Sequence, residues 1–283
     1  MKAAGKTTFL GLLDITVSNR QAKDNSFKGY IREKSSGILD VADGLCEGHF
    51  PPETPVGQIY EADYIFTFKQ RFSTDTLISS VVEGAGEDWA LMIKSYMDGM
   101  YNKVDDRSKF DAWKFYEYVL SSDIFIFMAS CDDIRGLGTT EGRTDTSITR
   151  LIDSIVAYKE WARKSSPEAF SIVFTKFDYV NAELKRQGID ITHPDPRVSR
   201  ESMTRFLEKY FRNTYRAMNF YDSVKSKLFI PCWVDLAYDK NGSVLKNNDG
   251  KAKVYVDNRT GLPTFGEYFI NQLINWLRAP FMK

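Results

Sequence analysis

The run Phe170-Ser171-Ile172-Val173-Phe174-Thr175-Lys176-Phe177-Asp178 is apolar over the length of a strand and then turns polar. Two similar runs, Asp123 to Ser130 and Lys227 to Val234, lie on either side of it in the chain, each separated from it by a helical stretch suited to a right-handed crossover. Asp63 to Lys69 and Thr76 to Val82 follow each other closely, as in a β-hairpin. Ile148, Leu151, Ile152, Ile155 and Val156 recur at helical spacing, as do Met203, Phe206, Leu207, Tyr210 and Phe211. Further helices are expected over Thr7 to Thr16, Trp89 to Met100 and Phe110 to Leu120. Thr264 and Glu267 form a capping box before a final helix to about Arg278. Strands alternating with helices predict an α/β fold, a mostly parallel sheet with helices on both faces.

Ser35 to Gln58, Gln187 to Arg200 and Asp239 to Lys251 read as loops, the last a polar turn in a hairpin ending at Lys253 to Asp257. With 283 residues, the chain fits one elaborated domain over 1–283 better than two large ones. Lys plus Arg and Asp plus Glu each number 38, so no overall basic field draws nucleic acid. Cys46, Cys131 and Cys232 lie far apart with two histidines, a pattern that encodes neither a disulfide framework nor a zinc site. The strongest apolar stretch, Ile124 to Cys131, falls far short of the roughly 20 residues a membrane helix needs. A cytoplasmic protein without a membrane span is expected.

The chain opens with Gly5-Lys6-Thr7-Thr8 and an apolar helical segment. A glycine before a helix lets backbone N–H groups approach phosphate, the helix end adds partial positive charge, Lys6 adds a full one, and the Thr7 hydroxyl suits Mg²⁺. Thr8 is within reach of an α-phosphate. Thr175-Lys176-x-Asp178 supplies a second signal, because a carboxylate accepts from guanine N1–H and the exocyclic amine, donors that adenine does not present together. A third is Glu83-Gly84-Ala85-Gly86-Glu87 at the end of the Thr76 strand, and a fourth is Thr54 within Pro51-Pro52-Glu53-Thr54-Pro55.

In this order the four motifs resemble those of P-loop GTPases: G-K-[ST], a switch threonine, D-x-x-G with Glu83 in the acidic position, and [NT]KxD. The resemblance covers roughly Met1 to Leu236 and is nearest to the prokaryotic GTPases of double-GTPase or GTPase-associated systems. It implies a three-layer P-loop fold with insertions near 87–120 and 181–200 and a hairpin plus helix over 239–279. It also implies a GTP or GDP ligand with Mg²⁺ held by Thr7, Thr54 and Glu83, and γ-phosphate contact at Gly86. Glu87 falls where the family orients the attacking water, Cys232 where a short loop touches guanine, and Arg135 or Arg143 where an arginine finger would be sought. Slow hydrolysis and switching of a protein partner follow from the resemblance, with a non-catalytic GTPase-like module or a P-loop ATPase or kinase as alternatives. Counting back along G-x-x-x-x-G-K-[ST], the loop's first glycine falls just before Met1. The loop start and its strand are therefore expected upstream, their loss leaving a slot between the Thr76 and Asp123 strands.

Overall fold

The computed structural model describes residues 5–34, 37–52, 59–70, 73–84, 118–134 and 143–278. The chain is α/β, and it divides into two compact units.

The first unit takes in Gly5–Ala85 and Cys232–Arg278. Its leading helix, α1 (Lys6–Lys23), buries Phe9, Leu10, Leu12, Leu13, Ile15 and Val17, and the buried Thr16 hydroxyl donates back to the Leu12 carbonyl at 2.8 Å. Strand β1 (Phe27–Glu33) pairs antiparallel with β2 (Ile59–Lys69), which pairs antiparallel with β3 (Thr74–Gly84). The hairpin expected from sequence is β2 and β3, each longer than read. Strand β1 was not anticipated, although Phe27, Gly29 and Ile31 alternate with Lys28, Tyr30 and Arg32 at the strand period.

Ser35 to Gln58 is not all loop. Within it, α2 (Ile38–Cys46) carries Val41, Ala42 and Leu45 buried at helical spacing, an apolar stripe that outweighs the segment's Gly and Asp content. The fit to α1 is close. A Cβ on Gly11 would lie 2.7 Å from Val41 and 2.8 Å from Leu45, so only glycine lets these helices approach.

Beyond Cys232 the chain folds into short segments bonded in a cycle. Leu245 N–H donates to Ala237 at 2.8 Å, Lys253 to Leu245 at 2.8 Å and Ala237 to Lys253 at 3.0 Å. Two turns replace the one expected hairpin turn, at Asp239–Ser243 and Asn247–Lys251, each closed by an Asx side chain accepting backbone N–H groups. A short pair, β7 (Val256–Asp257) with β8 (Leu262–Pro263), leads into the last helix (Glu267–Arg278).

The second unit holds β4 (Ile124–Ser130), β5 (Ala169–Thr175) and β6 (Ser226–Pro231), parallel and in that order. Among the described residues its helices include α3 (Arg143–Trp161), α4 (Asp178–Arg186), α5 (Pro196–Tyr210) and α6 (Arg212–Phe220). All seven residues of β5 are buried, as a middle strand of a parallel sheet requires. Phe174 meets Phe206 at 5.0 Å and Phe211 at 4.8 Å between ring centroids. The Gln187 to Arg200 loop is shorter than read: Asp195 accepts from Arg197 N–H at 2.8 Å, and Pro196 opens α5 with its φ already helical. Asp145 performs a similar service at a distance, accepting the Thr214 N–H at 2.8 Å and the Asn213 N–H at 3.2 Å at the start of α6.

Among the described residues β3 and β4 share no ladder, and each is an end strand of its own three-stranded sheet. The described strands thus form two antiparallel sheets and one parallel sheet, which differs from the mostly parallel sheet that the sequence predicts.

Candidate functional site

The carboxyl ends of parallel strands are where open α/β sheets collect ligands, because each strand there gives way to a turn and then a helix. Ser130 and Thr175 are ladder partners at the ends of β4 and β5. Thr175 is buried and its hydroxyl lies 3.4 Å from the Ala129 carbonyl. Lys176 follows with φ 55°, in the left-handed region that non-glycine residues occupy at a cost. Phe177 is fully buried against Phe206, and the half-buried Asp178 opens α4. The Lys176 ammonium pairs with Asp132, whose carboxylate sits in the 3-10 turn Cys131–Ile134 beyond β4. Ser130 Oγ in turn accepts the Asp132 N–H at 3.3 Å.

Thr175, Lys176 and Asp178 thus share one turn, and the fold adds Asp132 to it through Lys176, a residue that sequence reasoning missed. Its signal was faint: an acidic pair, Asp132-Asp133, just past an apolar strand. Cys232 follows Pro231, which is paired with Phe174 across the β5–β6 ladder, and it is buried. Trp233 beside it packs on the last helix, 5.9 Å from Phe269 between centroids and tight against Gly266.

The other unit carries Gly5, Lys6, Thr7 and Thr8. Gly5 caps α1 with φ 73°, no side chain caps the helix, and its first turn holds no acidic residue. Such an end favours an anion through its N–H groups and dipole, and Lys6 strengthens that preference. Thr7 is buried. Glu83 lies in β3 opposite Tyr60. Thr54, Gly86, Glu87 and Arg135 lie outside the described residues, as do the helices read at 89–100 and most of 110–120. Arg143 opens α3. Among the described residues no three His, Cys, Asp or Glu side chains are grouped to hold a metal ion, and no helix is long and apolar enough to cross a membrane.

A second polar cluster lies on the antiparallel sheet. Asp63, with its side chain 3% exposed, accepts from Arg32 Nη2 at 2.5 Å and Ser80 Oγ at 2.6 Å and pairs with Lys34 at 2.6 Å. These partners hold its carboxyl well below the usual range. Arg32, Asp63 and Ser80 form one cross-strand row, so the sheet register alone assembles them. On α1, burial pushes Asp14 up to about 6, with Asp43 and Glu33 adding repulsion. No known protein family matches the chain, and no solved structure matches it.

Proposed function

We propose that this protein binds a guanine nucleotide, taking the base at the Thr175-Lys176-Phe177-Asp178 turn. The observation that carries the reading is Lys176, a lysine held left-handed just past a fully buried strand and two residues before the acidic residue that starts the following helix. Backbone strain of this kind concentrates where a protein binds or reacts. Asp178 offers two acceptor oxygens to guanine N1–H and its amino group, while adenine presents an unprotonated N1 that a carboxylate repels.

The resemblance assigns the phosphates to Gly5-Lys6-Thr7-Thr8 and Mg²⁺ to the Thr7 hydroxyl with Thr54 and Glu83, whereas the base reading rests on the Thr175–Asp178 turn alone. The ion's chemistry there is neutralisation of phosphate charge. The three-layer P-loop arrangement belongs to the same proposal, as do slow hydrolysis near Glu87 and a γ-phosphate-ordered switch at Thr54 and Gly86 read by a protein partner.

Equilibrium titration of the full chain in Mg²⁺ with GDP, GTP, ADP and ATP tests the reading. Guanine nucleotides should bind at least about tenfold tighter than their adenine counterparts, roughly the discrimination of one well-made hydrogen bond. Equal binding of the two bases contradicts base recognition at Asp178 and favours the ATPase or kinase reading. Phosphate release from bound GTP then separates a slow enzyme from a non-catalytic module.

A further inference from the structure

Two non-glycine residues among those described have positive φ, Arg163 at 56° and Lys176 at 55°. Arg163 is explained by its place. It lies just past the end of α3, where the Lys164 N–H reaches back to the Lys159 carbonyl at 2.9 Å, as in a left-handed helix terminus. Lys176 ends no helix. It joins a buried strand to α4, and its ion pair among the described residues is to a residue 44 positions away.

That pair does not account for the strain. Lys176 and Asp132 side chains are 33% and 39% exposed, so water screens their attraction, and pairs of this kind add little to stability. What the pair does fix is direction. Asp132 is held in its 3-10 turn, which packs on α4, and by the Ser130 hydroxyl. The Lys176 side chain leaves the end of β5 and is anchored at the end of β4, so its four methylenes span two adjacent strand ends.

We propose that Asp132 is a positioning residue of the base site: it tethers the Lys176 ammonium so that the lysine stem is laid out as an apolar shelf for one face of the base. This rests on the reading of the turn as a guanine site. A lysine stem without its tether samples many rotamers, and the ligand would have to order it on arrival. A shelf touches the base face, which all purines share, whereas Asp178 reads the base edge. Asp132 thus governs affinity, and Asp178 governs selectivity.

The test is calorimetric titration of the full chain with GDP and with ADP, comparing wild type, D132N, D132E, K176M and the D132N/K176M double variant. D132N should weaken GDP about fivefold, close to 1 kcal/mol, and leave the GDP-to-ADP ratio within twofold of wild type. D132E should recover most of the loss. In the K176M background, where the stem is kept but no ammonium needs holding, D132N should change GDP affinity by less than twofold. Wild-type affinity in D132N, or an equal loss with and without the Lys176 charge, overturns the role assigned to Asp132 while leaving guanine recognition intact. If wild type does not prefer GDP to ADP, the guanine reading fails, and the shelf fails with it.

Discussion

Two acid–base clusters, one on each unit, look alike as contacts and differ in what put them there. Arg32, Asp63 and Ser80 meet because three antiparallel strands place them in one row, and Lys34 joins from the residue after β1. The backbone around them is ordinary strand, and the carboxylate is buried. Lys176 and Asp132 meet just past the last rung of the β4–β5 ladder, in the turns that follow it, and the lysine backbone is left-handed. The first cluster is explained by the sheet and belongs to stability. The second carries a left-handed lysine, and on that backbone strain the proposed base site rests.

Changing Asp63 should produce the largest effect on folding. D63N removes the buried charge that three neighbours converge on and is expected to lower unfolding free energy by about 2 kcal/mol in denaturant titration. GDP affinity should not change, and a binding loss in folded D63N would break the division between the clusters. Because the Asp63 carboxyl is depressed in the folded state, its contribution is present above the usual carboxylate range and is lost as pH falls below about 4.

K176G sharpens the comparison from the other side. Glycine adopts φ near 55° at little cost, so this variant should be as stable as wild type or more so, by up to about 1 kcal/mol, while GDP binding drops. Lower stability with unchanged binding would mean the lysine is there for the fold.

The smallest effect concerns Asp14. Its folded pKa of about 6 exceeds the ordinary 3.8, so the folded state binds protons more readily and this group's effect on stability worsens as pH rises from about 4 to 6. D14N should therefore gain on wild type at pH 7, by about 1 kcal/mol after screening at its open side, and lose that advantage by pH 4. Melting curves across this range check the sign, and an advantage that grows toward low pH would refute it.

Most of the parallel unit was legible in sequence because its strands are unbroken apolar runs between helical stripes, as in Phe170–Thr175 and Ile148–Val156. In the other unit, glycine and aspartate concealed α2, whose apolar positions 41, 42 and 45 carry the helix, and Gly29 interrupted β1. The start of α5 is set by two residues acting together, the Asp195 cap and Pro196, within a stretch whose prolines otherwise spell a loop. Of the proposed site, Thr175, Lys176 and Asp178 are legible because they fall within four consecutive residues. Asp132 is not, since nothing local says that a carboxylate 44 residues upstream will close on Lys176. The contact exists only once β4 and β5 are paired.

The central claim is that the Asp178 carboxylate reads the edge of guanine, and exchanging that edge tests it most directly. An amide at this position keeps an acceptor for N1–H and gains a donor, which matches the C2 carbonyl of xanthine and opposes the amino group of guanine. Titrating wild type and D178N with GDP and xanthosine diphosphate should show the preference inverting, with GDP weakened about a hundredfold in the variant and the xanthine nucleotide bound more tightly by it than by wild type. Unchanged GDP affinity in folded D178N, or equal weakening of both ligands, would contradict the account.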